Sequence, residues 1–413
     1  MSDPVLSGPG SGDGPGTLTV ANRLSGYIRG GGVLIPIVTA LIAFFIGGIV
    51  IALAGANPID TYRAIFEGSG LNWLLPWVTG DERTLAALNL QQTLILTAPL
   101  ILTGLAVAFA FRAGLFNIGG NGQYLIGSYG AVYAASSFEG MPGWLHIIVA
   151  MVAGAVVGAL WGGIAGFLKA TTGANEVIST IMLNYTALYM GLYFFGTNGP
   201  LHSSDPANAS IPVSNDVFED TRLPVFWGNP ELQGLHIGIF IAVGVAALFW
   251  VLLNRSTTGY EVRAVGYNPD AAEYGGISAG RNYVKVMLIC GAFAGLAGAI
   301  DVLGWQFRIA TNDIPIANLG FLGIAAALLG RNTVGGTMIA ALLFAALLNG
   351  TSVRNLDPAI FEPQLASNLT YIIQGLIILF VSAPVLVTVL SRGRWRRKQK
   401  PMPQPEVVTG AGG

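Results

Sequence analysis

The sequence predicts an all-α polytopic membrane protein of about ten transmembrane helices, with both termini in the cytoplasm. Three observations carry this expectation. Hydrophobic residues fill 53% of the 413 positions and charged residues only 10%, a balance outside that of soluble domains. The few charges gather in short islands and leave apolar runs long enough to cross a bilayer. Lysine and arginine collect in some islands and are nearly absent from others, which orients the runs.

Residues 1–32 read as a disordered cytoplasmic tail, because the head "MSDPVLSGPGSGDGPGTLTVAN" has too little apolar surface to fold. It has no separate apolar region and cleavage site, so the first apolar run, Val33 to Ala56, is expected to serve as an uncleaved signal anchor. About 20 apolar residues cover the hydrocarbon at 1.5 Å per residue. By that measure spans fall at 33–56, 86–111, 118–138, 144–168, 177–197, 235–254, 286–304, 316–330, 332–350 and 368–390. The eighth is short for an untilted crossing and reads as re-entrant or as part of a broken helix.

Residues 33–390 thus form the membrane domain, and 391–413 a basic cytoplasmic tail holding Arg392, Arg394, Arg396, Arg397, Lys398 and Lys400. The island 255–285, with Arg263 and Arg281, belongs on the same side. The loop 198–234 sets Asp205, Asp216, Glu219, Asp220 and Glu231 against Arg222, and belongs outside. A basic cluster beside a span is the ordinary membrane anchor, so no nucleic-acid partner is expected. Gly154, Gly158, Gly162 and Gly166 recur every four residues, and Gly291 and Gly295 repeat the spacing. Such faces let two helix backbones approach closely.

Several chemistries lack their residues. None of the lysines follows the glycine of a phosphate-binding loop, so ATP is not expected on this chain. His146, His202 and His236 are scattered and Cys290 is the sole cysteine, so no metal site or resident cofactor is expected. No nucleophile elbow or catalytic carboxylate pair supports an enzyme. Ion-coupled carriers need ionisable groups at membrane depth. Here Asp301 is expected near the outer interface, paired with Arg308, and Glu176 only begins its span.

Two spans carry polar side chains at helical spacing. Glu176, Thr180 and Asn184 share one face with Tyr185 beside it, while Asn117, Asn121, Gln123 and Tyr124 cluster in "FNIGGNGQYLIGS". They suit either a path for a neutral polar solute or hydrogen bonding between helices. "KATTGANEV" and "RSTTGYEV" each set a basic residue, a Thr-Thr-Gly turn and Glu-Val after a span, which hints at two related halves. In the charged island, Asn268 is a good N-cap, Pro269 fits the first helical position, Asp270 suits the positive helix end, and Gly275 with Gly276 stops the helix. A helix this short is marginal alone. It reads as a docking surface or as a plain surface cap.

"FRAGLFNIGGNGQ", "ANEVISTIMLNY" and "VRAVGYNPDAAEYGGIS" resemble the permease subunits of bacterial ABC importers of the ribose and branched-chain amino acid class, most of all those for nucleosides and simple sugars. The resemblance implies a bacterial cytoplasmic-membrane subunit paired with a second permease, as a heterodimer or a homodimer. It implies ATP-binding subunits that use ATP and Mg on the cytoplasmic side, and an extracytoplasmic substrate-binding lipoprotein. The cargo would be a neutral nucleoside or simple sugar, with another sugar or a branched-chain amino acid as the alternative. An ion-coupled secondary transporter is the alternative of another class. Glu261 and the helix Asn268, Pro269, Asp270, Ala271, Ala272, Glu273, Tyr274, Gly275 would couple to the ATPase, and the two polar stripes would line the path. Asn121 stands where many relatives are expected to carry an acid, which puts any role of that acid in doubt here.

Overall fold

A computed structural model describes residues 34–53, 55–229, 234–315 and 317–352, with a few positions between 368 and 379. The expectations for the two tails and for most of the span at 368–390 lie outside the described residues. Twelve α-helices follow one another among those described: α1 Leu34–Leu53, α2 Pro58–Gly68, α3 Gly80–Arg112, α4 Gly120–Ser137, α5 Gly143–Thr172, α6 Glu176–Phe195, α7 Gly238–Arg255, α8 Thr257–Tyr267, α9 Pro269–Tyr274, α10 Ala279–Asp301, α11 Leu319–Leu329 and α12 Val334–Gly350. Five of these, α3, α5, α6, α7 and α10 with its extension to Gln306, are long and apolar enough to cross a membrane. The chain is a multi-pass membrane protein.

The two central helices are α3 and α10, buried along most of their spans, while α5, α6 and α7 expose most of theirs. Pro99 inside α3 removes one ladder donor. Thr103, one turn on, donates to the Pro99 carbonyl at 3.0 Å. The two glycine ladders meet each other. A Cβ on Gly158 would lie 2.6 Å from the Gly291 carbonyl oxygen, and one on Gly154 would lie 2.8 Å from Ala299 Cβ. Without side chains on these faces, α5 and α10 approach to backbone contact and gain dispersion energy along the whole seam.

At the expected eighth span the chain forms a half-length helix. With 11 residues, α11 is about 16 Å long. The Leu319 carbonyl at its start accepts from Thr103 at 3.2 Å, in the last third of α3. At its far end Arg112 donates twice to the Asn332 carbonyl, at 3.2 and 2.8 Å. The helix therefore begins inside the bundle and ends at the Arg112 face, hereafter the basic end. The stretch before it is tied to the loop end by the bridge between Val213 and Ala310. Non-helical backbone at this depth is tolerated because protein surrounds it. Returning toward the loop end, α12 has Asn349 near its end donating to the Asn89 carbonyl at 2.8 Å.

At the loop end, residues 198–229 and 234–237 fold against the bundle through short turns and the antiparallel pair β1 Val225–Trp227 and β2 Leu235–His236. Among the three scattered histidines, His146 and His236 are buried, and His146 Nε2 meets the Ala134 carbonyl at 2.8 Å. Among the described residues no three metal-ligating side chains converge.

Candidate functional site

Two groups of predicted residues occupy two depths. The deeper group is built around the turn between α3 and α4. After α3 the chain passes Ala113 to Gly119 without helix and starts α4 at Gly120. Asn117, fully buried, holds that turn: its Oδ1 accepts from Gly119 N at 2.9 Å, and its Nδ2 donates to Gln123 Oε1 at 3.0 Å. From α6, Asn184 completes the clamp, its Oδ1 accepting from Gly122 N at 2.7 Å and its Nδ2 donating to the Ile118 carbonyl at 2.9 Å. Thr180 is buried one turn below and bonds its own helix at the Glu176 carbonyl, 2.7 Å away. Three predicted residues, Asn117, Gln123 and Asn184, thus form one knot that satisfies the Gly119 and Gly122 amides at the start of α4, and Thr180 packs beside Gly119.

Asn121 is buried in the same place, but its Oδ1 has no hydrogen-bond partner among the described residues. It packs where Gly320 opens α11; a Cβ on Gly320 would collide with the Asn121 backbone. The starts of α4 and α11 therefore touch within the bundle. Glu176 sits lower, in a 2.7 Å ion pair with Lys169 that joins the end of α5 to the start of α6. Tyr185 is not with the knot. One residue past Asn184, it points off the bundle and is largely exposed.

Tyr124 bonds upward instead. Its hydroxyl donates to the buried Asp301 carboxylate, which also accepts from Trp305 Nε1 and, at 2.8 Å, from Gln306 Nε2. The expected pairing of Asp301 with Arg308 does not occur. Arg308 faces Asp216 on the loop at 3.9 Å, because α10 runs on into a π-helical turn, Val302–Gln306, that curls two donors back over the carboxylate.

The second group is the island at the basic end. It holds two helices where one was expected. Ser256 Oγ accepts from Gly259 N at 3.0 Å and starts α8, so Thr257, Thr258 and Gly259 are its first turn. In the other Thr-Thr-Gly stretch, the two threonines end α5 and Gly173 caps it in the left-handed region. The sequence likeness does not extend to structure: one stretch closes a helix and the other opens one. Glu261 pairs with Lys285 at 3.0 Å. Beyond α8, Asn268 Oδ1 accepts from Ala271 N at 3.1 Å, Pro269 takes the first turn of α9, and Gly275 closes it. Ala272 is buried against Val265 and Ala279. Asp270, Ala271, Glu273 and Gly275 are exposed, and Tyr267 and Tyr274 are 93% and 97% exposed.

Residues 89–382, most of the chain, match the family described as "Branched-chain amino acid transport system / permease component". The chain belongs to this permease family. It is 37% identical over 358 residues to the guanosine ABC transporter permease protein NupP of Bacillus subtilis, covering 85% of this chain and 93% of that one. To the nucleoside ABC transporter permease protein NupB of Lactococcus lactis subsp. cremoris it is 32% identical, covering 87% and 93%. To the glucose ABC transporter permease protein TsgB13 of Haloferax volcanii it is 31% identical, covering 84% and 86%. No solved structure matches.

In this permease the two residue groups are physically joined. Gly266 of α8 lies on the end of α3, where a Cβ would strike the Arg112 carbonyl, and Gly114 packs on Gly266 in turn. Sequence reading missed Arg112, Gly114 and Gly266. Their signal is faint: an arginine ending an apolar run reads as a membrane anchor, and its two bonds to Asn332 are 220 residues away.

Proposed function

We propose that this permease is one membrane-spanning half of an ATP-driven importer, and that it passes a neutral nucleoside received from an extracytoplasmic binding protein. A second permease, as a heterodimer partner, forms the other half. ATP hydrolysis belongs to separate subunits at the cytoplasmic side of a bacterial inner membrane. The chain crosses about ten times with the basic end and both termini inside. The observation that carries this reading is the near end-to-end similarity to a guanosine permease.

The geometry supports it. At the basic end α9 is a capped helix that buries one alanine and presents Asp270, Glu273 and the exposed Tyr274, with the exposed Tyr267 beside it at the end of α8. Aromatic residues in such positions are frequent anchors of protein interfaces. Motion of α9 would pass through α8 and Gly266 to the end of α3, and from there to the turn clamped by Asn117 and Asn184. A sugar is the second reading, favoured by the similarity to a glucose permease.

The test reverses the charge of the coupling face. Asp270→Lys with Glu273→Lys is expected to leave the protein in the membrane in wild-type amount while ATP-dependent guanosine uptake by the reconstituted complex falls at least about tenfold, the loss expected when like charges face each other across an interface. Normal uptake by that double variant would sink the coupling role. Uptake without ATPase subunits would sink the whole reading.

A further inference from the structure

We infer that the exposed face of α6 is a wall of the solute path, and that Tyr185, Tyr189 and Tyr193 on it form a ladder contacting the base of a passing nucleoside. The inference rests on the import reading above and adds where the solute touches this chain. The three tyrosines stand at i, i+4 and i+8, so they share one stripe, and they are 58%, 66% and 69% exposed. Counted from Glu176, they lie at about 13, 20 and 26 Å along the helix. The stripe therefore runs from the middle of the membrane to its loop end.

Lipid is the wrong neighbour for this face. Tyrosine is at home in the interfacial belts, but a phenol hydroxyl left without a partner in hydrocarbon costs free energy. Among the described residues none of these three hydroxyls has a hydrogen-bond partner. The neighbouring spans expose apolar side chains at comparable depths: α5 exposes Ile148, Val152 and Leu160, and α7 exposes Phe240, Val243 and Leu248. Of the five spans, α6 is both the least apolar and the least buried. A helix that exposes this much of its surface to lipid should be more apolar than its neighbours, not less. Its exposed stripe therefore meets water.

The residue type indicates what else it meets. A phenol ring offers a flat π-face to an aromatic base and a hydroxyl that can give or take a hydrogen bond, without a charge that would trap a neutral solute. Rungs one turn apart, about 6 Å, let a base move from one ring to the next without losing both contacts.

The chain's single cysteine makes a clean test, since Cys290 is buried. In a Cys290→Ala background, Tyr185→Cys, Tyr189→Cys and Tyr193→Cys are compared with Val152→Cys and Leu160→Cys in vesicles holding the full transport complex. The probe is a water-soluble, positively charged methanethiosulfonate reagent. Because the reactive thiolate forms readily only where water reaches it, the tyrosine positions are expected to react at least about tenfold faster than the α5 positions. Guanosine, supplied with ATP and the binding protein, is expected to slow that labelling, and glucose at the same concentration to leave it unchanged. Labelling no faster than at α5 would place the face against lipid or in a sealed contact with the second permease, and would overturn the inference. Labelling indifferent to guanosine would remove the solute contact.

Uptake gives an independent readout. Tyr185→Phe with Tyr189→Phe keeps the rings and is expected to retain guanosine uptake within about threefold, whereas the corresponding Leu pair loses about tenfold, the worth of one stacked base. Wild-type uptake by the Leu pair would overturn the ladder. Uptake that proceeds without ATP hydrolysis would instead overturn the import reading and leave the labelling pattern standing.

Discussion

At the scale of single residues, most buried polar groups of this permease are hydrogen-bonded within the bundle, and their energetics follow from that. Asp301 is the sharpest case. It accepts from Tyr124, Trp305 and Gln306 while almost wholly buried. Asp301→Ala would strand three donors, each at about 1–3 kcal/mol. The expected loss is several kcal/mol, read as a large drop in thermal unfolding temperature in detergent. Asp301→Asn keeps one acceptor oxygen and should lose less than half as much. Equal stability of the Ala variant and wild type would show that the π-helical turn holds itself. The site is a structural hub, and its position on α10 just below the loop end explains why sequence position alone suggested Arg308: both residues lie near the same interface, but the π turn faces its own side chains inward.

At the scale of elements, what the sequence made legible was local. The Asn268–Pro269–Asp270 signature names its own helix start, and the structure puts the cap on the expected amide. The same signature at Asn57–Pro58–Ile59–Asp60 starts α2, where Asn57 Oδ1 accepts from Ile59 N at 3.0 Å. That helix was there to be found. Glycine spacing in α5 announced a close contact, and α10 supplies the partner. What the sequence could not give was pairing across distance: that Asn184 clamps Gly122 and that Thr103 meets Leu319. Polar stripes read alike whether they bond a solute or a neighbouring backbone, because the side-chain chemistry is the same. The seam between α5 and α10 yields a direct prediction. Gly158→Leu forces a side chain into the Gly291 backbone, and overpacking of this kind costs about 1–3 kcal/mol or more. Folded permease recovered from membranes should fall severalfold. Gly244→Leu on α7, where a Cβ would meet nothing within 4 Å, should be recovered like wild type. Equal recovery of both would show that α5 and α10 need not touch.

At the scale of the whole molecule, the question is how an event at the basic end reaches the middle of the bundle. The rigid route is short: α9 is seated on α8 through Ala272 and Val265, α8 rests on α3 through Gly266, and Arg112 at that junction also holds the turn between α11 and α12. Residues 331 and 332 in that turn adopt positive φ of 53°, a conformation that non-glycine side chains rarely take and that surrounding contacts must hold. Arg112 therefore ties three elements together: α3, the start of the Asn117 turn and the foot of α11, whose upper end touches Asn121. Arg112→Ala removes two hydrogen bonds at this junction without altering the exposed face of α9. If the proposed import reading holds, ATPase docking should survive, and with it ATP hydrolysis by the assembled complex. Guanosine uptake should fall about tenfold, since weakening one strut by about 1.4 kcal/mol shifts a two-state equilibrium by that factor. The ratio of solute moved to ATP hydrolysed is the measurement. A fall in that ratio marks Arg112 as part of the transmission. If hydrolysis and uptake drop together in proportion, Arg112 serves assembly only, and motion must travel through the Lys285–Glu261 pair into α10 instead.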